Sequence, residues 1–153
     1  MTDVHSNQIR SFNMSRIKGK NTKPEIKVRK FLFRNGFRFR LNVKNLSGKP
    51  DIVLTKYKTV IFINGCFWHG HDKCKFFVVP KTRTDWWLNK IERNKLLDNE
   101  NKLKLTSEGW KVITIYECEL KKGNENTTLS GIITQLRDAL MVIQDNPSGV
   151  KPI

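Results

Sequence analysis

Four residues of this chain have the types and spacing to hold a metal ion: Cys66, His71, Cys74 and Cys118. The first three fall in the stretch Cys66-Phe67-Trp68-His69-Gly70-His71-Asp72-Lys73-Cys74, and the fourth arrives far downstream. Three thiolates and one imidazole make a tetrahedral zinc donor set, and four protein ligands leave no open position, so the zinc would be structural and would not activate water. The set uses every cysteine in the chain. Cys-x4-His-x2-Cys is not a standard finger spacing, and the competing reading is three ordinary buried cysteines. His69, enclosed by these ligands, is either the free histidine of the knot or a ligand in place of His71.

A second constellation is Pro50-Asp51-Ile52-Val53-Leu54 followed by Val60-Ile61-Phe62-Ile63-Asn64-Gly65. An acid at the start of one strand and a polar group at the end of the next form a nuclease-type hairpin. The sheet fixes the carboxylate and the second strand supplies a further metal ligand. Phosphodiester cleavage needs a metal to neutralise charge and a base titrating near neutrality to prepare water. Nucleases of this design usually add a second acid and a lysine, which are absent here. Ile63 offers only its backbone carbonyl and Asn64 only an amide. Taken alone, an Asp before a strand is more often a turn residue.

The charge supports a nucleic-acid partner. The 153 residues favour one domain. The net charge is +15 and the pI about 10.0, a field that attracts phosphate and releases counterions. A ribosome-type or membrane-surface protein is the competing reading. Residues 1–50 hold thirteen Lys and Arg against two acids, so the N-terminal third carries +11 of the total. No apolar run approaches the ~18 residues of a membrane span, and Met1-Thr2-Asp3-Val4-His5-Ser6 lacks the pattern of a signal peptide. Three cysteines cannot all pair internally, which points to a reducing, intracellular compartment.

These residues need elements to position them. Residues 1–21 are polar, basic and aperiodic, a flexible arm expected to bind DNA. Thr22-Lys23-Pro24-Glu25 starts a helix, with Thr22 as N-cap and Glu25 completing a capping box. Val28, Phe31 and Leu32 follow at helical spacing, and Asn35-Gly36 ends it. Phe37 to Leu41 alternates apolar and basic, as a half-buried strand does. Asp51–Leu54 and Thr59–Ile63 read as a hairpin of buried strands joined at Lys56-Tyr57-Lys58. Thr84 is expected to cap a helix running to about Ser107, with Trp87, Ile91, Asn94 and Asp98 on one face and Gly109 after its end. Trp110–Tyr116 is another strand, and a final helix runs from about Leu129 to Ile143 on Ile133, Leu136, Leu140 and Ile143. The result is an α/β sandwich around a mixed central sheet flanked by helices, over residues 22–145, with 146–153 a loose tail. Neighbouring parallel strands would bring the four metal ligands together.

Asn13-Met14-Ser15-Arg16-Ile17, Thr22-Lys23-Pro24-Glu25, Lys49-Pro50-Asp51, Gly65-Cys66-Phe67-Trp68-His69, Pro80-Lys81-Thr82-Arg83-Thr84 and Trp110 through Cys118 occur here in order. In these segments, which span about residues 8–121, the chain resembles the very short patch repair (Vsr) endonuclease family. That family nicks one strand of duplex DNA at T:G mismatches left by 5-methylcytosine deamination. The resemblance implies a restriction-endonuclease-like (PD-(D/E)XK-type) architecture with catalytic Mg²⁺ and structural Zn²⁺. It implies that Asp51 and the Ile63 carbonyl bind Mg²⁺, that His69 is the base activating water, and that Glu25 holds metal-bound waters. Cys66, His71, Cys74 and Cys118 match the zinc ligands. Phe67, Trp68 and Trp86 match aromatics that wedge beside the mismatch, and Met14 matches a wedge on the arm, where Arg16, Lys18 and Lys20 also bind DNA. The implied partners are T:G-mismatched duplex DNA and other mismatch-repair proteins. A cytoplasmic, nucleoid-associated bacterial monomer that binds no membrane is expected.

The chain departs from the family at two places. The family type has a histidine where this chain has Asn64, paired with an aspartate that matches Asp98. Asn64 cannot shuttle a proton, though it can hydrogen-bond a phosphate oxygen. Asn64 is thus the expected partner of Asp98, with an ordinary surface-edge Asp as the alternative. Lys73 is one extra residue in the metal loop. Two other readings remain open at this stage: a nicking or restriction-type nuclease that needs no mismatch, and a zinc-containing DNA-binding protein with weakened catalysis.

Overall fold

The computed structural model describes residues 21–145. Helix α1 (Lys23–Arg34) starts where the sequence signals it, with the Thr22 hydroxyl accepting from the Glu25 N–H. Its buried residues include Val28 and Leu32. The chain leaves through Asn35 and Gly36, whose φ of +87° is cheap only for glycine. Only half of the expected capping box forms: Glu25 accepts from the Asn21 N–H, one residue before the cap.

Four strands form one sheet in the order β1 (Arg40–Leu41), β2 (Ile52–Leu54), β3 (Thr59–Asn64), β4 (Lys111–Tyr116). The first two neighbours pair antiparallel and β3 pairs β4 in parallel. The sheet is therefore mixed, as expected. β2 and β3 are linked through a 3-10 turn at Thr55–Tyr57 and a left-handed Lys58. The Phe37–Leu41 strand is much shorter than its alternation suggested. Only Arg40 and Leu41 pair, because the β2 edge they meet is itself three residues long.

Helix α2 (Thr84–Ser107) ends on schedule before Gly109, but Thr84 does not cap it. Arg83 takes the cap position, while the Thr84 hydroxyl donates backwards to the carbonyls of Pro80 and Lys81. Helix α3 (Glu125–Asp145) begins earlier than Leu129. Its first turn is polar and carries no apolar period; the Lys27 ammonium bonds Glu125, and the Thr128 hydroxyl bonds the Glu119 carbonyl. The buried stripe is Leu129, Ile132, Leu136 and Ala139, with Ile133, Leu140 and Ile143 on its flank. Among the described residues no helix is long and apolar enough to cross a membrane.

Period-two alternation sorts the strand residues onto two faces. Ile52, Leu54, Ile61, Ile63, Ile113 and Ile115 share one cluster with Val28 and Leu32 of α1 and Leu129, Ile132 and Leu136 of α3. Val53, Val60 and Trp110 share the other with Leu105 of α2. Each such fully buried aliphatic side chain contributes ~1.5–3 kcal/mol by leaving water. The second face changes character along the strands. It is apolar at Val60 and Val112, then polar at Asn64, Thr114 and Tyr116, and there the site lies.

Candidate functional site

The polar end of that face floors a cleft of about 480 Å³, whose lining includes Glu25, Asp51, Ile63, Asn64, His69 and Asp98. Asp51 immediately precedes β2, and its Oδ2 accepts from the Ile63 N–H at 2.7 Å. Burial raises its carboxyl from 3.8 to about 6, the Ile63 N–H opposes this, and the charge of Glu25 adds to the rise. A buried carboxylate beside a second one is stabilised by a cation, so the donor set suits a divalent metal. Glu25 is 3% exposed and receives the Asn21 N–H and the Arg29 guanidinium. Both bonds fall on Oε2, so neither uses Oε1.

His69 sits on the loop after β3. Its Nδ1 lies 2.7 Å from Oδ2 of Asp98 on α2. A carboxylate can only accept, so Nδ1 donates to Asp98, and in the neutral ring it is Nε2 that carries the lone pair. Asp98 therefore pairs with His69, and the expected Asn64–Asp98 pairing does not occur. Asn64 is buried beside Tyr116, its Cα partner in the parallel register. One turn before Asp98, the Asn94 amide donates to the Trp68 carbonyl at 2.9 Å. Helix α2 thus holds the loop at two consecutive residues, Trp68 and His69.

The same loop carries the metal set. The ligand atoms of Cys66, His71, Cys74 and Cys118 all lie within 4.8 Å of one another. His71 is the histidine that joins them, its Nδ1 3.3 Å from Cys118 Sγ, while His69 points elsewhere. Burial pushes the Cys66 thiol up. Cys118 is pushed up to about 12, by burial and then by the neighbouring Cys66 and Cys74. Thiolates crowded in this way repel one another, and a shared cation relieves that repulsion, so the set fits a thiolate-bound metal. The parallel pair supplies the convergence: β3 ends at Asn64, two residues before Cys66, and β4 ends at Tyr116, two before Cys118. Lys73, the extra loop residue, adopts a left-handed φ of +56°, which lets the longer loop turn back.

Gly70 lies in this loop with φ +58°, and a Cβ there would stand 2.7 Å from Ile91 Cγ2. Phe67, Trp68 and Trp87 pack edge-on or tilted within 5.7 Å of one another. Trp86 stands on Trp87 and is 44% exposed, against 7% for Trp87. That split agrees with Trp87 belonging to the inward stripe. Met14, Arg16, Lys18 and Lys20 lie outside the described residues.

Relatives with these features have names. A family profile described as DNA mismatch endonuclease Vsr matches residues 2–75. The Type II nicking enzyme V.NmeAIP of Neisseria meningitidis serogroup A is 50% identical over 92% of this chain and 100% of its own length. The DNA mismatch endonuclease Vsr of Escherichia coli K12 is 39% identical over 90% of this chain and 87% of its own.

The chain belongs to the Vsr family.

It is a DNA endonuclease. A further relative, the Type II nicking enzyme V.XorIIP of Xanthomonas oryzae pv. oryzae, is 45% identical over 78% of this chain and 88% of its own. Within this Vsr chain the sequence reading missed Tyr116. It lines the cleft, and its ring stacks on His71 with centroids 3.9 Å apart and planes 4° from parallel. The available signal was its place at a strand end, two residues before Cys118 and on the same alternating face as Val112 and Thr114.

Proposed function

We propose that this protein is a Mg²⁺-dependent, zinc-stabilised endonuclease that nicks one strand of duplex DNA at T:G mismatches arising from 5-methylcytosine deamination, and so initiates very short patch repair. The observation that carries the reading is that the His69–Asp98 pair and the Asp51 carboxylate line one cleft.

In this reading Asp51 and the Ile63 carbonyl would hold Mg²⁺, and Glu25 would accept from waters beside it. Bound Mg²⁺ supplies charge neutralisation at the scissile phosphate. His69 takes the proton of the attacking water on Nε2, and Asp98 stabilises the imidazolium that results. The Ile63 N–H keeps one Asp51 oxygen oriented. Cys66, His71, Cys74 and Cys118 would hold Zn²⁺, which would fix the loop that carries His69. Phe67, Trp68 and Trp86 wedge beside the mismatch, where unstacking a base costs least. Met14, with Arg16, Lys18 and Lys20, anchors the DNA from the N-terminal arm. The architecture is that of the restriction-endonuclease-like nucleases, with the second acid and lysine replaced by the Ile63 carbonyl and His69.

The test compares T:G and T:A duplexes of one sequence in Mg²⁺ and in chelator. Nicking confined to T:G with Mg²⁺ is expected. Equal rates on the two duplexes would instead favour a nicking enzyme without mismatch dependence.

A further inference from the structure

The cleft contains a polar group that the scheme above leaves without a task. Tyr116 is fixed by three constraints. Its backbone is paired in register with Asn64, and its N–H bonds the Glu119 carboxylate at 3.2 Å. Its ring lies flat on His71 at 3.9 Å. Beside it in the sheet stands the Asn64 side chain, itself 8% exposed. An amide N–H given to the phenol oxygen would leave the phenol's own proton available to a further acceptor.

We propose that the Tyr116 hydroxyl, beside Asn64 and held by the stack of its ring on His71, donates a hydrogen bond to a non-bridging oxygen of the scissile phosphate. This rests on the cleft being the cutting site. Asn64 cannot transfer a proton, but it can aim a group that carries one. The donor is built before DNA arrives, and a fixed donor facing developing negative charge is worth more than a mobile one because nothing reorganises during reaction. No proton transfer is required of it. The tyrosine stays neutral throughout, and the attacking water's proton goes to His69. The stack gives the zinc knot a second consequence, since the ring that rests on a metal ligand places the donor.

The test is single-turnover nicking by wild type and Tyr116→Phe on an oxygen duplex and on both phosphorothioate diastereomers of the scissile phosphate. Tyr116→Phe is expected to keep one zinc per chain and wild-type DNA affinity. It should nick the oxygen duplex about 10²-fold more slowly. The diastereomer whose sulfur replaces the bonded oxygen should slow wild type but add little further loss in Tyr116→Phe. Tyr116→Leu, which also removes the ring, is expected to lose zinc retention. An unchanged rate in Tyr116→Phe, or the same sulfur penalty in variant and wild type for both diastereomers, would overturn the proposal. Release of zinc by Tyr116→Phe would do so too, because it would make the hydroxyl merely structural. Wild-type rates on T:G and T:A duplexes bear only on the mismatch reading. The Tyr116 comparison uses whichever duplex wild type nicks and is decided independently.

Discussion

His69 Nδ1 and Asp98 Oδ2 lie 2.7 Å apart, joining the loop after β3 to the middle of α2. The bond sets the imidazole's tautomer and aim. Asp98→Ala should therefore fold normally and retain zinc, yet lose about 10²-fold or more in single-turnover nicking, the scale of a general base. Circular dichroism and a metal assay beside the rate measurement check this. A variant that nicks at the wild-type rate would remove His69 from the base role.

Asp51 titrates near 6 because it is buried, above its ordinary 3.8. A raised carboxyl means that the folded chain holds this proton more tightly than the unfolded chain does. In metal-free protein its contribution favours folding at low pH and is lost as pH rises from about 4 through about 6, then stays flat. Asp51→Asn should remove that slope and raise Tm at pH 7 without metal, while abolishing nicking. Thermal melts across pH 4–8 with and without Mg²⁺ are the measurement. Lowering pH below 6 should also slow wild type, since a protonated Asp51 binds metal poorly.

His71→Ala and His69→Ala should behave oppositely. The first removes a ligand from the proposed zinc site, where bound metal would supply roughly 10 kcal/mol or more of folding free energy, so zinc should be released and the melting transition lost. The second should keep one zinc per chain and its Tm, but nick slowly. Zinc content by atomic emission separates the two outcomes, and the reverse pattern would exchange the histidines' roles.

Gly70→Ala introduces a methyl group 2.7 Å from Ile91 Cγ2 at a positive φ. Overpacking of this kind costs about 1–3 kcal/mol. Tm should fall, and nicking should fall further than stability alone explains, because the loop would lift from Asn94 and Asp98.

Trp86→Ala should leave Tm within a degree or two of wild type, since the ring is 44% exposed, yet narrow the difference between T:G and T:A duplexes. The scale is the few kcal/mol of an inserted wedge. Trp87→Ala should instead destabilise the fold by about 3–5 kcal/mol, as loss of a buried aromatic does. Equal effects of the two variants on Tm would argue against their different placement.

Much of this was legible in the residues. Thiolates and imidazoles are scarce, so the metal set stood out, and the parallel strands that gather it followed from where the loops leave. The stripe Trp87-Ile91-Asn94-Asp98 was visible because a helix repeats faithfully over about three turns. The partner of Asp98 was not, because it depends on how a loop held by Asn94 rotates His69 towards the helix. Tyr116 was equally hidden, since its neighbours Asn64 and His71 reach it only through the register between strands distant in sequence. The short β1 and the polar first turn of α3 are set by tertiary contacts, which local alternation does not encode.

The parallel pairing of β3 with β4 also sets an order in time. A parallel neighbour can be reached only after a long crossover closes, here one containing the whole of α2, and such contacts form late. A chain leaving the ribosome exposes Asp51 and His69 well before Asp98, Tyr116 and Cys118 exist. Until the last strand is made and seated, the metal knot lacks one ligand and the cleft one wall. A copy truncated before Cys118 would therefore lack one member of the four-residue metal set.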